Sequence, residues 1–98
     1  MSETTSGKEI IEIGLCSIGK VKIIKALAEE SKLSTIYVLH KKTHLKRKDI
    51  KNNLDDLVRI CWVTQRKYAN MMYGINRENK YVSRLIEFFN DVDYIGQP

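Results

Sequence analysis

Two helical apolar patterns, separated by only His44 and Leu45, constrain this chain more than any other feature. Ile50, Leu54, Leu57 and Val58 recur at helical spacing, which predicts an amphipathic helix over Lys46 to Ile60 with Lys48, Lys51, Asn52, Asp55 and Arg59 largely outside. Before it, the segment Ile36 to Thr43 follows the cap candidates Ser34 and Thr35 and turns Ile36, Leu39 and His40 to one side. Helix, tight turn and helix is the arrangement that carries the second helix into a DNA major groove, its N-terminal residues nearest the bases.

Charge concentrates in the same place. From His40 to Lys51 the chain carries Lys41, Lys42, Lys46, Arg47, Lys48 and Lys51 against Asp49 alone, a local balance of +5 that equals the net charge of all 98 residues. The remainder is therefore neutral. A lysine-rich run on its own is ordinarily a solvated face. Beside the apolar series Leu45, Ile50, Leu54 and Leu57 it predicts a helix with one face in a core and the other turned to a polyanion.

Ninety-eight residues with 43% apolar content suit one compact domain, small enough that pairing with a second copy would help it. No apolar run approaches the roughly 18 residues of a membrane span, and Met1 to Lys8 is polar without the apolar stretch of a secretory signal. A cytoplasmic protein without membrane contact is expected. Cys16 and Cys61 are then reduced thiols rather than a disulfide.

The flanking segments complete a fold. Glu9 to Leu15 is short and apolar, and its pattern does not decide between a helical turn and a strand. Ser17 caps a helix through about Glu30, with Val21, Ile24, Leu27 and Ala28 inside and Lys20, Lys22, Lys25 and Glu29 outside. At Cys61 the period falls from 3.6 to near 2, so Trp62–Tyr68 and Met72–Asn76 read as a β-hairpin. Parity selects its loop: a three-residue loop at Ala69-Asn70-Met71 puts Val63, Tyr73 and Ile75 on one face, where a two-residue loop would split them. The last helix, about Asn79 to Val92, carries Tyr81, Val82, Leu85, Ile86, Phe88, Phe89 and Val92 in an arc wider than a small domain needs, which implies a partner. The tail Asp93 to Pro98 carries no further signal.

This order resembles the archaeal winged-helix DNA-binding proteins within the broad ArsR-like group of transcription regulators, over about Ser17 to Phe89. The resemblance is carried by GKVKIIKALAEE, LHKKTHL, IKNNLDDLVRICWV and YGINRENKYVSRLIEFF. It implies an α+β, mostly helical fold: a winged helix-turn-helix with a three-helix core, a two-stranded wing and an extra C-terminal helix. On that reading residues 1–8 are a disordered tail and 9–95 one domain, with the helix-turn-helix at about 36–60, the wing at 61–76 and the last helix at 79–92. It also implies a homodimer on double-stranded DNA. Three departures from the family pattern stand out. His44 and Cys61 occupy positions usually given to glycine, and Lys46 stands where a Ser or Thr cap is usual, which gives up about 1 kcal/mol of capping. Lys46, Arg47 and Lys48 also oppose the helix dipole, a conflict that phosphates would resolve.

The candidate DNA contacts are Lys46, Arg47, Lys48, Lys51 and Asn52 on the recognition helix and Arg66, Lys67 and Asn70 near the hairpin tip. Arg47 and Asn52 are suited to base edges, the lysines to phosphates. The candidate dimer contacts are Ile10, Ile13, Leu85, Phe88 and Phe89. No cofactor is indicated. His40 and His44 have a spacing that could hold zinc, but two ligands do not make a site, and no metal or small-molecule effector is expected. No nucleophile with its base, no paired catalytic carboxylates and no phosphate-cradling glycine loop suggests an enzyme; Asp55 and Asp56 read as solvent-facing or as charge partners of Arg59. The competing reading is a winged helix that binds only another protein, and the placement of the charge argues against it.

Overall fold

Side-chain caps mark where the helices begin. In the computed structural model, which describes residues 6–95, the elements run α1 (Gly7–Gly14), α2 (Ile18–Ala28), α3 (Ile36–Thr43), α4 (Arg47–Arg59), β1 (Val63–Lys67), β2 (Met71–Ile75) and α5 (Lys80–Asp91). Ser6, Ser17, Thr35 and Asn79 each accept a backbone N–H of the first turn of α1, α2, α3 and α5. At Ser6 the arrangement is reciprocal, since the Glu9 carboxylate accepts the Ser6 N–H at 3.1 Å. That capping box settles the undecided first segment as a helix. It also corrects the expected tail, because Gly7 and Lys8 are helical; residues 1–5 lie outside the described residues. Helix α4 is the exception: Lys46 stands at its N-cap and makes no side-chain cap bond.

The C-termini show how the chain manages without glycine. His44 ends α3 at φ 63° and Cys61 follows α4 at φ 67°, both left-handed. At α4 the Trp62 N–H donates to the Leu57 carbonyl and the Cys61 N–H to that of Val58, both at 3.0 Å, which is a Schellman closure. The helix therefore leaves as a glycine-bearing chain would, with Cys61 absorbing a strain of about 1–2 kcal/mol. The same closure recurs after α5, where Asp93 takes φ 60°, Tyr94 N–H donates to Phe89 O at 2.8 Å, and the Tyr94 ring packs edge-on against Phe89. Tyr94 and the buried Ile95 thus belong to the core, a correction to the tail read as empty of signal.

Helices α2, α3 and α4 pack around Ile23, Ile24, Leu27, Leu39, Ile50, Leu54 and Leu57, all essentially inaccessible. Trp62, Val63 and Tyr73 extend this core under the hairpin, and Val82, Ile86 and Phe89 of α5 close it. Gly14 lets α1 approach: a Cβ there would stand 2.3 Å from the Trp62 ring. Lys20, expected on the outer face of α2, is instead 4% exposed. Its Nζ donates to Asp56 Oδ2 on α4 at 2.8 Å and to Cys16 Sγ at 3.3 Å, so an ion pair joins the two helices where the apolar pattern suggested solvent.

The hairpin register pairs Val63 with Ile75, Gln65 with Tyr73 and Lys67 with Met71. Val63, Tyr73 and Ile75 share a face, as parity required, but the three-residue loop is Tyr68-Ala69-Asn70, one position earlier than expected. On its other edge, Tyr73 exchanges two 2.7 Å backbone bonds with Ser34, which adds a one-residue third strand ahead of α3.

Candidate nucleic-acid interface

The turn between α3 and α4 is held from within. The Thr43 hydroxyl donates to Leu39 O at 2.7 Å and accepts the Leu45 N–H at 3.2 Å. His40 Nδ1 lies 2.7 Å from Leu45 O; a carbonyl can only accept, so this nitrogen carries the proton. His40 therefore ties α3 to the start of α4, and His44 supplies the left-handed residue between them. Among the described residues, no group of three His, Cys, Asp or Glu side chains comes together to hold a metal ion. Cys16 and Cys61 are both exposed and unbridged.

This turn presents Lys46, Arg47 and Lys48 as one exposed cluster at the N-terminus of α4. Among the described residues none of the three forms an ion pair, whereas most carboxylates nearby are engaged elsewhere: Glu30 by Lys42, Asp55 by Lys51 and Asp56 by Lys20 and Arg59. Tyr37, exposed on α3, lies beneath two cations, with the Arg47 guanidinium carbon and Lys41 Nζ each 5.5 Å from its ring centroid. Tyr37 thus props Arg47 and was missed in the sequence; its spacing of four residues from Lys41 was the available signal.

Further along α4, Asn52 is exposed and makes no side-chain bond among the described residues, while Lys51 is bound to Asp55 at 2.8 Å, which raises the lysine's pKa. Lys51 is therefore partly neutralised before any ligand arrives. Arg66 and Lys67 are exposed on β1 next to the loop, and Asn70 sits in the loop itself. Asn70 and Met71 line one side of a groove of about 470 Å³ whose other side is Thr35, Ile36 and Tyr37 at the start of α3. The hairpin tip and the helix-turn-helix are thereby brought to a common edge.

The predicted contact residues for a second copy divide. Phe88 is 56% exposed, and Leu85 and Ile13 are half-buried. Phe89 is only 7% exposed and packs in the chain's own core, so it does not present the expected outward surface, whereas Ile10, like Leu85, is half-buried against that core. Ile11, absent from the expected set, is exposed instead and lines a groove with Leu85 and Phe88.

A three-helix unit with a tight turn before its third helix, followed by an antiparallel hairpin and a closing helix, is a winged helix-turn-helix. Among solved structures, HlyU from Vibrio cholerae N16961 shares this fold, with a TM-score of 0.74 over 94% of this chain and 97% of that one at 17% sequence identity. No protein-family model and no curated protein matches the chain in sequence. No helix of the described residues is long and apolar enough to cross a membrane.

Proposed function

We propose that this chain is a transcription regulator that binds duplex DNA as a homodimer, with the N-terminus of α4 in the major groove and the hairpin on the phosphate backbone. The observation that carries the reading is the exposed Lys46-Arg47-Lys48 cluster at the end of α4, uncapped and, among the described residues, without an ion-pair partner. Fold alone does not choose a function, and a purely protein-binding module has no need of cations placed against a helix dipole. Phosphate oxygens remove that conflict. Arg47, held over Tyr37, and Asn52 face base edges; Lys46, Lys48, Lys51, Arg66, Lys67 and Asn70 position the backbone. Leu85, Phe88 and Val92 of α5 with Ile11 and Ile13 of α1 form the surface for the second copy.

Affinity for random duplex DNA across a salt series tests this. If a dimer neutralises roughly 6 to 10 phosphates, log affinity falls against log salt with a slope of about −5 to −9. Arg47→Glu with Lys48→Glu removes most of that affinity and leaves the fold intact, since both side chains are exposed. Absence of binding at low salt, or binding unchanged by the double reversal, assigns this surface to a protein partner instead. Sedimentation tests the pairing separately: a dimer at micromolar concentration becomes a monomer on Phe88→Asp, and a monomer before the substitution rejects it.

A further inference from the structure

The groove between α1 and α5 shares Ile11, Leu85 and Phe88 with the surface proposed for pairing, but its basic rim is used by neither pairing nor DNA binding. It encloses about 420 Å³, within the range of small-molecule sites, and its walls are Ile11, Tyr81, Leu85 and Phe88. Trp62 also lines it, and the buried indole N–H has no acceptor among the described residues. The charged side chains lining the groove are Lys80 and Arg84, both exposed and both cationic. Lys80 Nζ lies 5.4 Å from the Tyr81 ring centroid, so the charge stands directly over the apolar wall. An apolar trough with a basic rim fits a molecule with a hydrocarbon body and one anionic head.

We propose that this groove binds a medium-chain carboxylate amphiphile, its chain between Ile11, Leu85 and Phe88 and its carboxylate at Lys80 and Arg84. All the residues come from one copy of the chain, and because Ile11, Leu85 and Phe88 are also the surface proposed for pairing, a ligand here competes with the second copy while leaving the DNA-binding face free. The groove's position gives binding a structural outlet. The backbone N–H of Trp62 closes the C-terminus of α4, the helix whose other end carries Lys46, Arg47 and Lys48, so a ligand against the indole bears on the end of that helix.

Trp62 is the one tryptophan of the chain, so its emission reports occupancy directly. The intact protein is titrated, below micelle-forming concentrations, with decanoate, decanol and decyltrimethylammonium, with circular dichroism followed alongside. Decanoate is expected to give a saturable change in emission at constant helicity, with decyltrimethylammonium at least about tenfold weaker. Lys80→Glu with Arg84→Glu, both at exposed positions, is expected to invert that preference and favour the cationic amphiphile. Three results overturn the proposal: no saturable response to decanoate, equal responses to all three amphiphiles, or a preference that survives the charge reversal. Emission that changes on protein dilution and ignores decanoate also overturns it, and gives the groove to a second copy of the chain.

Discussion

The two ends of α4 are built on opposite principles. The C-terminus is closed by two backbone bonds, backed by Trp62 and pinned through Asp56 to the buried Lys20. The N-terminus has no side-chain cap, three adjacent cations and, among the described residues, no carboxylate paired to them. Stability is concentrated at one end, and the other is left with unsatisfied N–H groups and surplus charge of the sign an anion would meet. The same thirteen-residue helix thus serves as anchor and as probe, and substitutions at its two ends should separate folding from binding.

The largest effect is expected at the anchored end. Trp62→Ala should cost about 3–5 kcal/mol of stability in a urea melt followed by circular dichroism, because the indole fills the space under Gly14 and Tyr81. A loss under about 1 kcal/mol would mean that the exit from α4 does not support the core.

Next comes the buried pair, which should be asymmetric. Asp56→Ala strands the Lys20 ammonium with Cys16 alone and should cost about 3 kcal/mol, whereas Lys20→Met leaves Asp56 with Arg59 and water and should cost about 1 kcal/mol or less. The pair also sets a pH dependence. The hydrogen bond from Lys20, with its charge and that of Arg59, holds the Asp56 carboxyl below its ordinary value of 3.8. Its contribution is therefore present above that pH and is lost as pH falls through the lowered value. On the Lys20 side, burial works against the ammonium, but the bonds to Asp56 and Cys16 outweigh it and raise the pKa above 10.5. That contribution is present below 10.5 and is lost only as pH rises beyond it. Denaturation midpoints for Asp56→Asn should accordingly be less sensitive to acid than those of the parent; equal sensitivity would show that other carboxylates control the acid limb.

Smaller effects sharpen the contrast. Cys61→Gly should stabilise by about 1 kcal/mol by relieving the left-handed cysteine, without altering DNA affinity. Lys46→Ser should also stabilise by about 1 kcal/mol, by supplying the missing cap, but should weaken DNA binding and flatten its salt dependence. Smallest is Asn52→Ala, expected to change stability by under about 0.5 kcal/mol and to leave the salt slope alone while broadening sequence preference. If the first two variants behave alike toward DNA, the division of labour along α4 is wrong.

Much of this was legible in the residues because it rests on periodicity and caps. Ile50, Leu54 and Leu57 placed α4, Ser17 and Thr35 placed the starts of α2 and α3, and parity placed Val63 and Tyr73 on one face of the hairpin. What escaped depended on contacts between elements. Lys20 reads as a surface lysine until Asp56, 36 positions away, is packed beside it. Phe88 and Phe89 are indistinguishable in composition, and the phase of α5 against the core sent one in and one out. Tyr94 and Ile95 follow the last helix without any periodic signal; the left-handed Asp93 folds them back.

The paired bonds between Ser34 and Tyr73 mean that the hairpin is cantilevered, not hinged. Strand β2 is held at its middle residue on both edges, by β1 on one side and by Ser34, next to the α3 cap Thr35, on the other, while the tip at Tyr68-Ala69-Asn70 is exposed. A load at the tip must bend the strands themselves, and any tilt that reaches Tyr73 pulls on Ser34, next to the cap of α3. Amide exchange should register the gradient, with Ser34 and Tyr73 as slow as the core helices and protection falling steeply toward Asn70.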